Sequence, residues 1–490
     1  MEWTKEQRYR KIEDVTEEEL QNLANLVNQC PWRQSYHISP VTGLLNDPNG
    51  FSFFNGEYHL FYQWFPLGPV HGLKYWYHTK SKDLVHWENV GIALHPTNQY
   101  DSHGVYSGSA LEKDGVLYLM YTGNTRDENW TRHPFQCIAL MDEKGNIVKN
   151  AQPVISEVPE GYTDHFRDPK VWEENGVYYA IIGAQRTNKT GCTVLYKSAD
   201  LMNWIFLGEM ETGLTEFGYM WECPDYFVLD GQSILLFSPQ GISPVNDEFQ
   251  NIYQSGYVMG KADIPAGKLV HGKFTELDRG FDFYAPQTMV DPEGRRFLVG
   301  WMGLPDIDYP TDINGWAHCL TLVRELSIRN GKLIQKPVRE TADLRGNQTD
   351  GQADLENSSI TLNEFEGQTY ELHAEFTGST AQQFGLELRV GTGEKTVIKY
   401  DRMDKKVILD RTHSGVPVAE GYGSIRKCAL DSEKVTFQVF VDVSSVEVFV
   451  NDGEEVFTGR IFPKADSRGI RFFSKGGHTR VKATKWDIKK

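Results

Sequence analysis

Three carboxylates stand at matching places in the sequence. Asp47 lies in the turn-rich segment GLLNDPNG (43–50), Asp168 lies in FRDP (166–169), and Glu222 lies in WECPD (221–225). Each acid is followed after eight or nine residues by a glycine of a predicted hairpin, namely Gly56, Gly176 and Gly231. A single acid before a turn usually only caps its own loop. It is their shared position that predicts a common site.

The chemistry of such a site follows from its composition. Three acids that converge without histidine or cysteine partners suit either a hard cation or acid–base chemistry on a sugar. The flanking sequence is rich in aromatic residues (Tyr62, Trp64, Phe65, Trp76, Trp221, Tyr284, Trp301 and Trp316). Such side chains can stack on sugar rings, so we favour sugar chemistry and predict no metal site.

Cleavage of a glycosidic bond assigns a role to each acid. One carboxylate attacks the anomeric carbon, and a second, protonated carboxyl group assists departure of the leaving group. We predict Asp47, on a rigid turn, as the nucleophile. Glu222 is the predicted acid/base, because apolar neighbours and nearby like charges raise a carboxyl pKa. Asp168 is expected to stay ionised beside Arg167 and to bind sugar hydroxyls.

A repeat in the sequence explains how these acids could meet. A glycine followed by an apolar, aromatic strand recurs at Gly56, Gly115, Gly176, Gly231 and Gly294, with steps of 59, 61, 55 and 63 residues. Two segments, SKDLVHW (81–87) and SADLMNW (198–204), also place a tryptophan in the same outer turn. Five near-equal all-β periods predict a five-bladed β-propeller. Equivalent positions of its blades meet at the axis, and those of blades two and five are Ser107 and Tyr284.

The segments on either side of the repeat differ from it. Residues 1–35 contain a helical pattern with a capping box from Thr16 to Glu19, which predicts a short helical arm. Polar residues 340–351 read as a linker. Short alternating strands then predict a β-sandwich over 355–490, after a propeller over 36–340. The predicted fold is therefore all-β apart from the arm.

Charge and cysteine content exclude several classes of protein. The 490-residue chain has a net charge of −17, which argues against nucleic acid and anionic membranes as partners. The first residues do not resemble a secretory signal, and no stretch reaches the roughly 18 apolar residues of a membrane helix. The six cysteines are scattered, as is typical of free thiols. We therefore expect a cytoplasmic protein.

The three acid motifs together resemble glycoside hydrolase family 32, the invertase and fructan hydrolase group. The segment from His37 through NDPNG, with Gln63 and Trp64, resembles the family's sucrose box, and DVSSVEVF (442–449) resembles its sandwich module. The resemblance implies a retaining β-fructofuranosidase that acts on sucrose or sucrose 6-phosphate, without metal or organic cofactor. It assigns the same roles to Asp47, Asp168 and Glu222.

The resemblance also implies a set of substrate contacts. These are Leu44, Leu45, Asn46, Gln63, Trp64, Tyr106, Ser107, Arg167 and Tyr284. The helical arm and the lack of a signal sequence resemble the intracellular bacterial branch of the family. A phosphorylated substrate would need basic groups at the pocket rim, for which the candidates are Lys74, Arg126, Arg132 and His133.

Three alternatives stay open on the sequence. A fructan (inulin or levan) hydrolase shares the three acids, although a signal sequence would be expected. A fructosyltransferase uses the same acids with a sugar instead of water as acceptor. A non-catalytic, sugar-binding propeller would be expected to lack at least one acid. The second β domain could also offer a surface for a homodimer.

Overall fold

Hairpin turns with left-handed residues recur along the first half of the chain. In the computed structural model, which describes residues 2–489, Asn55 and Gly56 have φ angles of 49° and 79°. Three later hairpins between the first two strands of a blade share this pair of positive φ angles, at Asp114–Gly115, Asn175–Gly176 and Asp230–Gly231. Two successive left-handed residues match the right-handed twist of the strands that they join. The hairpins predicted from glycine are thus confirmed.

These hairpins each join the first two strands of a four-stranded antiparallel blade. Blade 1 contains β1 (Gly43–Phe54), β2 (Glu57–Phe65), β3 (Tyr75–Ser81) and β4 (Trp87–Leu94). Blade 2 contains β5 (Val105–Lys113), β6 (Val116–Arg126), β7 (Arg132–Met141) and β8 (Ile147–Lys149). Blade 3 contains β9 (Tyr162–Glu174), β10 (Val177–Arg186), β11 (Gly191–Ser198) and β12 (Trp204–Glu209). Blade 4 contains β13 (Met220–Leu229), β14 (Gln232–Gln240), β15 (Gly256–Asp263) and β16 (Lys268–His271), with β17 (Thr275–Glu276) beside β15.

The fifth blade closes a ring. It contains β18 (Tyr284–Val290), β19 (Arg296–Met302), the short β20 (Trp316–Ala317) and β21 (Cys319–Leu320), β22 (Arg324–Arg329) and β23 (Lys332–Pro337). Strand β21 pairs with β19, whereas β20 pairs in parallel with β1 of blade 1. The first strand of each blade contacts the first strand of the next, and β18 contacts β1. The domain is therefore the predicted five-bladed propeller.

The two outer turns that share a tryptophan have the same structure. Ser81 Oγ accepts hydrogen bonds from the amides of Asp83 (3.1 Å) and Leu84 (2.9 Å), and Trp87 Nε1 donates to Leu84 O (2.9 Å). The same three bonds, at the same lengths, form within residues 198–204. Both indoles are partly buried against the core of their blade. The two similar segments, 81–87 and 198–204, thus form equivalent outer turns in blades 1 and 3.

The innermost strand of every blade carries a β-bulge at the level of the predicted acids. Two residues of this strand face one residue of the next strand at positions 46–47, 106–107, 168–169, 223–224 and 285–286. A bulge bends a strand and re-aims its side chains, and it is common beside active sites. The predicted rigid turn at 43–50 is wrong, because this segment is part of β1 and a bulge sets the direction of Asp47.

The C-terminal domain is a β-sandwich of two six-stranded sheets, ordered β24-β35-β26-β31-β32-β33 and β25-β34-β27-β28-β29-β30. Its strands are β24 (Arg345–Glu356), β25 (Ser359–Ile360), β26 (Tyr370–Thr377), β27 (Gln383–Gly391), β28 (Glu394–Asp401), β29 (Lys406–His413), β30 (Ile425–Ala429), β31 (Val435–Asp442), β32 (Ser445–Val450), β33 (Glu455–Arg460), β34 (Gly469–Lys475) and β35 (His478–Ile488). Apolar side chains such as Phe384, Phe437 and Phe472 fill the space between the sheets.

The predicted linker is structured. Arg339–Leu344 is a 3₁₀ helix, and Arg345–Glu356 is the edge strand β24, which pairs with β35 along most of its length. Most side chains of β24 are exposed or half-buried. An edge strand with little buried surface does not need apolar alternation, so the prediction of a linker from polar composition is wrong.

The N-terminal arm contains α1 (Lys5–Arg8), a 3₁₀ turn (Ile12–Asp14) and α2 (Glu17–Asn28). Thr16 and Glu19 form the predicted capping box, with reciprocal bonds to each other's amide at 3.1 and 3.2 Å. The arm lies against blade 1, where Arg8 O accepts from the amide of Leu73 at 2.7 Å. Among residues 2–489, no helix is both long enough and apolar enough to cross a membrane.

Buried charges join the propeller to the sandwich. His37 Nδ1 lies 2.8 Å from Asp442 Oδ2, and His37 Nε2 lies 2.9 Å from Glu447 Oε1. Arg324 of blade 5 donates to the other oxygen of Glu447 at 2.8 Å and to Asp278 Oδ2 at 3.1 Å. The side chains of His37, Asp442 and Glu447 are fully buried. These ion pairs fix the start of the propeller to β31 and β32.

Candidate active site

The three predicted acids share one cavity. Its volume is about 340 Å³, and residues beside the bulge of every blade line it: Asn46, Asp47, Tyr106, Asp168, Glu222 and Tyr284. Five further residues of its wall come from later parts of blades 1, 2 and 4 and from the N-terminal arm: Gln63, Lys74, Arg132, Gln240 and Tyr9. The common phase of the acids in the repeat therefore corresponds to a common location.

Two donors hold one oxygen of Asp47. Ser107 Oγ, from blade 2, donates to Asp47 Oδ2 at 2.5 Å, and the thiol of Cys223, from blade 4, approaches the same oxygen at 3.5 Å. These bonds come from two different blades, so the ring of blades itself orients the carboxylate. Ser107 is almost fully buried and acts through Asp47 rather than as part of the cavity wall.

A chain of buried polar side chains connects Asp47 to Lys74. Lys74 Nζ donates to Asn46 Oδ1 (2.7 Å), and Asn46 Nδ2 donates to Gln63 Oε1 (2.7 Å). Gln63 Nε2 then donates to Ser107 Oγ (2.8 Å), which donates to Asp47. Burial lowers the pKa of Lys74 to about 7, although the charge of Asp47 favours its protonated form. Each donor thus points towards the carboxylate.

Asp168 occupies a strained backbone position. Its φ angle is 68°, a region that a non-glycine residue adopts at a cost of about 1–3 kcal/mol. Its amide donates to Thr122 Oγ1 of blade 2 at 3.0 Å, and its Oδ2 accepts from the amide of Cys223 at 3.0 Å. Bonds from the blades on both sides therefore hold the carboxylate in place.

Glu222 is bound at both carboxylate oxygens. Arg167 donates to Oε1 from Nη2 (2.6 Å) and Nε (3.1 Å), and the hydroxyl of Tyr284 donates to Oε2 (2.6 Å). Arg167 was expected to stabilise the charge of Asp168. Its nearest approach to Asp168 is 4.0 Å, from where its charge favours the ionised carboxylate, whereas its closer ion pair is with Glu222.

The acids influence one another's ionisation. Burial raises the pKa of Asp168 to about 7, against the effect of Arg167, and the charges of Glu222 and Asp47 add to the increase. Burial and the charge of Glu222 likewise raise the pKa of Asp47. Interacting acids titrate as a unit. The cluster consequently keeps a proton into the neutral pH range.

The donor atoms of the cluster do not favour a metal ion. Ligand atoms of Asp47, Asp168 and Cys223 lie within 4.8 Å of one another. Burial raises the pKa of the Cys223 thiol well above its usual value, and the thiol donates to Asp47. Two carboxylates fall short of the six to eight oxygen ligands that calcium takes. The set suits proton transfer better.

Some predicted contact residues lie away from the cavity wall. Leu44, Leu45 and Trp64 are buried in the core of blade 1, and Trp64 Nε1 donates to Thr42 O at 2.5 Å. Of the eight aromatic residues noted in the sequence, only Tyr284 and Trp301 are part of the wall. The contact roles of the three core residues stay predictions.

The candidate phosphate-binding residues are divided. Lys74 and Arg132 line the cavity, and Arg126 lies beside Arg132 on the neighbouring strand. His133 is exposed and bonds to Asp127 at 3.2 Å. Arg132 and His133 are neighbours in β7, and consecutive residues of a strand point to opposite sides, which accounts for their separation.

Several wall residues were not anticipated from the sequence. Tyr9 comes from the arm, and His71, Gly72, Gln240, Pro305 and Asp306 also line the cavity. The aromatic ring of Tyr9 packs against Trp130 (5.1 Å between centroids) and His103 (5.7 Å). Only a long-range contact brings the arm to the cavity, and no local pattern could have indicated it.

A propeller whose axial cavity holds three carboxylates, followed by a β-sandwich, defines a class of glycoside hydrolases. Residues 37–337 match the N-terminal domain, and residues 340–488 the C-terminal domain, of glycosyl hydrolases family 32. The chain belongs to glycoside hydrolase family 32, as the motifs predicted, and it is an enzyme.

Individual relatives cover essentially the whole chain. The sucrose-6-phosphate hydrolase of Staphylococcus xylosus is 50% identical over 488 residues, which cover 100% of this chain and 99% of that protein. The structure of the Lactobacillus gasseri sucrose-6-phosphate hydrolase superposes with a TM-score of 0.93 at 40% identity, over 100% of this chain and 99% of that one. A mutant of a Bombyx mori GH32 beta-fructofuranosidase in complex with sucrose superposes with a TM-score of 0.83 at 34% identity, over 96% and 98%.

Proposed function

We propose that this enzyme hydrolyses the terminal β-D-fructofuranosyl bond of sucrose or sucrose 6-phosphate. The observation that carries the proposal is the convergence of Asp47, Asp168 and Glu222, from three different blades, on one cavity of about 340 Å³. Cavities of roughly this volume accept small ligands. The names of the relatives in Staphylococcus xylosus and Lactobacillus gasseri support the choice of sugar.

In the first half of the proposed reaction, an oxygen of Asp47 attacks the anomeric carbon of the fructosyl unit. The bond from that carbon to the glucosyl oxygen breaks, and Glu222 delivers a proton to the departing oxygen. The product is a fructosyl ester of Asp47. The bonds from Ser107 and Cys223 support this role, because they fix the carboxylate without neutralising it.

In the second half, water attacks the same carbon and Glu222 accepts its proton, which releases fructose and restores the Asp47 carboxylate. Two inversions at one carbon give net retention. Asp168 would bind hydroxyl groups of the fructosyl ring and stabilise the positive charge that develops on it. Its fixed place between the amide of Cys223 and the hydroxyl of Thr122 suits this positioning role.

The proton for the leaving group would come from the carboxylate cluster. Burial and like charges keep a proton on the cluster near neutral pH, as the raised pKa of Asp168, about 7, indicates. Arg167 and Tyr284 hold Glu222 in one orientation. We infer that a bound sugar, by separating the acids from water, directs this proton to Glu222.

The fructosyl ring would lie against Asn46, Gln63 and Tyr284, with hydroxyl groups bonded to the two amide side chains. Asn46 and Gln63 already belong to the bonded chain that begins at Lys74. Their orientation is therefore fixed before the sugar binds. Such preorganisation reduces the entropic cost of binding.

The proposal is tested by initial rates on sucrose, sucrose 6-phosphate, raffinose and inulin, measured side by side with Asp47→Asn protein as the blank. The highest kcat/KM on sucrose or its phosphate supports the proposal. A preference for inulin would instead indicate a fructan hydrolase, and oligosaccharide products would indicate a fructosyltransferase. Sugar binding without turnover of any of the four substrates would refute it and favour a non-catalytic propeller.

We further propose that the enzyme works in a reducing compartment, the cytoplasm. The support is that all six cysteines are free thiols, five of them buried and Cys223 half-buried at the catalytic cluster. Oxidation of a thiol that donates to Asp47 would disturb the site. A homodimer stays a prediction, which light scattering tests.

A further inference from the structure

Two arginines stand side by side on blade 2, and one of them, Arg132, lines the cavity. Arg126 ends β6, Arg132 begins β7, and the two residues are paired across this antiparallel hairpin. The Nε atom of each is buried and has no hydrogen-bond partner. Within the described part of the chain, residues 2–489, neither guanidinium forms an ion pair with a carboxylate within 4.0 Å.

Two of the buried arginines among the described residues pair with carboxylates, whereas buried Arg389 donates to backbone carbonyls. Arg324 pairs with Asp278 and Glu447, and Arg411 pairs with Asp282 at 2.9 Å. Taking a charge out of water without a partner is costly. Arg126 and Arg132 bond only to Trp130 O (3.1 Å) and to His165 Nδ1 (3.3 Å) through their Nη1 atoms. Most of their donors are thus uncommitted.

The location of Arg132 relates it to the leaving group. His165 Nδ1 lies 3.3 Å from Arg132 Nη1 and 3.0 Å from Arg167 Nη1, and Arg167 in turn binds Glu222. An imidazole nitrogen that faces two guanidinium donors must accept from both, so His165 is neutral. Burial, together with these arginines, lowers the pKa of His165 to about 4. Arg132 therefore lies on the Glu222 side of the cavity, where the glucosyl unit departs.

The N-terminal arm adds to the same corner. Lys5 Nζ lies 3.1 Å from the centre of the Trp130 ring, and Arg126 lies over that ring at 5.6 Å. The ring of Tyr9, a wall residue, packs against Trp130 as well. Positive groups from the arm and from blade 2 thus collect around one aromatic side chain, in a chain whose net charge is −17.

We propose that Arg126 and Arg132 form the subsite for the phosphate group of sucrose 6-phosphate, with Lys5 contributing to its positive field. This inference rests on the proposed function, since the phosphate is carried by the glucosyl leaving unit. Guanidinium groups bind phosphate through two parallel hydrogen bonds, and their charge attracts the phosphate dianion. A local basic cluster is what an otherwise acidic protein needs to bind an anion.

The test is the specificity ratio, defined as kcat/KM on sucrose 6-phosphate divided by kcat/KM on sucrose. It is measured for the unmodified enzyme, Arg132→Gln, Arg126→Gln and Arg132→Lys. Lys273→Gln is the matched control, because it removes one positive charge from an exposed ion pair on blade 4. Melting temperatures establish that each variant is folded.

The ratio should fall by roughly tenfold to 100-fold in Arg132→Gln, the range expected for loss of a hydrogen bond to a charged group. Arg132→Lys keeps the positive charge but loses the paired donors of the guanidinium. Its ratio should lie between those of the unmodified enzyme and Arg132→Gln. Arg126→Gln should lower the ratio as well. The control should leave it unchanged. Inhibition of sucrose hydrolysis by glucose 6-phosphate should weaken in parallel with the ratio.

Failure of this inference differs from failure of the proposed function. An unmodified enzyme that hydrolyses neither substrate refutes the function. An enzyme that hydrolyses both without preferring the phosphate, or whose ratio is the same in both glutamine variants and the control, refutes the subsite and leaves the function standing. If Arg132→Gln lowers kcat/KM equally on sucrose and on sucrose 6-phosphate, Arg132 only supports Arg167. That result would also overturn the proposal.

Discussion

The buried ion pairs of His37 make a quantitative prediction about stability. Burial alone would lower the pKa of this histidine, but hydrogen bonds to Asp442 and Glu447 outweigh it and raise the pKa from 6.5 to about 9. The substitution His37→Gln removes the charge and keeps a polar side chain of similar reach. It leaves two buried carboxylates short of a cationic partner.

The magnitude follows from the shift. One pKa unit corresponds to about 1.4 kcal/mol, so the rise from 6.5 to about 9 corresponds to roughly 3 kcal/mol of folding free energy. This agrees with the roughly 3–5 kcal/mol lost when one partner of a buried ion pair is removed. For a chain of 490 residues the unfolding entropy is about 1 kcal/mol/K, so the melting temperature should fall by about 3 °C.

The pH dependence of this difference identifies its cause. Below pH 6.5 the histidine is protonated in both states, and its contribution is fully present. Between pH 6.5 and about 9 the unfolded chain has lost the proton and the folded chain still binds it, so stability falls as pH rises. The gap in melting temperature between unmodified and His37→Gln protein should therefore narrow towards pH 9.

Differential scanning calorimetry from pH 6 to 9.5 measures this gap. His413→Ala is the matched control, because His413 is exposed and its loss should change little at any pH. If the difference in melting temperature stays constant from pH 6.5 to 9, packing rather than the charge of His37 stabilises the domain contact. That result would contradict the predicted role of the ion pairs.

Two further predictions concern the site, and a third concerns the cysteines. Glu222→Gln should lower kcat on sucrose by about 10²–10⁴. With a substrate that has an activated leaving group, the rate of the first step, measured by stopped-flow kinetics, should fall much less. Equal losses of rate on both substrates would exclude Glu222 as the acid. Burial raises the pKa of Asp168 to about 7, so the cluster loses its proton as the pH rises through the neutral range. The value of kcat/KM should decline over the same range. A pH–rate profile that is flat from pH 6 to 8 would contradict this prediction. Titration of denatured, freshly made protein should find six thiols whether or not reductant was present, and a gain after reduction would contradict the free state of the cysteines.

Much of the fold could be predicted because its determinants are local. A glycine in a two-residue turn needs a positive φ angle, and an apolar strand must follow it to form the blade core. Gly56, Gly115, Gly176 and Gly231 meet this requirement at nearly equal spacing, and the blades follow from it. The edge strand β24 was missed because its exposed side chains carry no apolar pattern, while its partner β35 lies far away in sequence.

The sequence predicts which acids form the site, but not the hydrogen bonds and ion pairs between them. The shared phase of the three acids required only the repeat. The bulges that aim them depend on register between strands, which single-strand patterns do not specify. Arg167 next to Asp168 in sequence suggested a close pair, yet Arg167 lies 4.0 Å from Asp168 and bonds at 2.6 Å to Glu222 of the next blade. Tyr9 could not be anticipated, since only the packing of the arm brings it to the cavity.

In the proposed mechanism, Asp47 attacks the anomeric carbon and forms a covalent fructosyl intermediate. Proton NMR of the first-formed fructose, recorded before the sugar mutarotates, tests it most directly. We expect β-fructofuranose as the initial product, because two displacements at one carbon retain its configuration. Initial formation of α-fructofuranose would show a single displacement by water and would contradict the role of Asp47 as nucleophile.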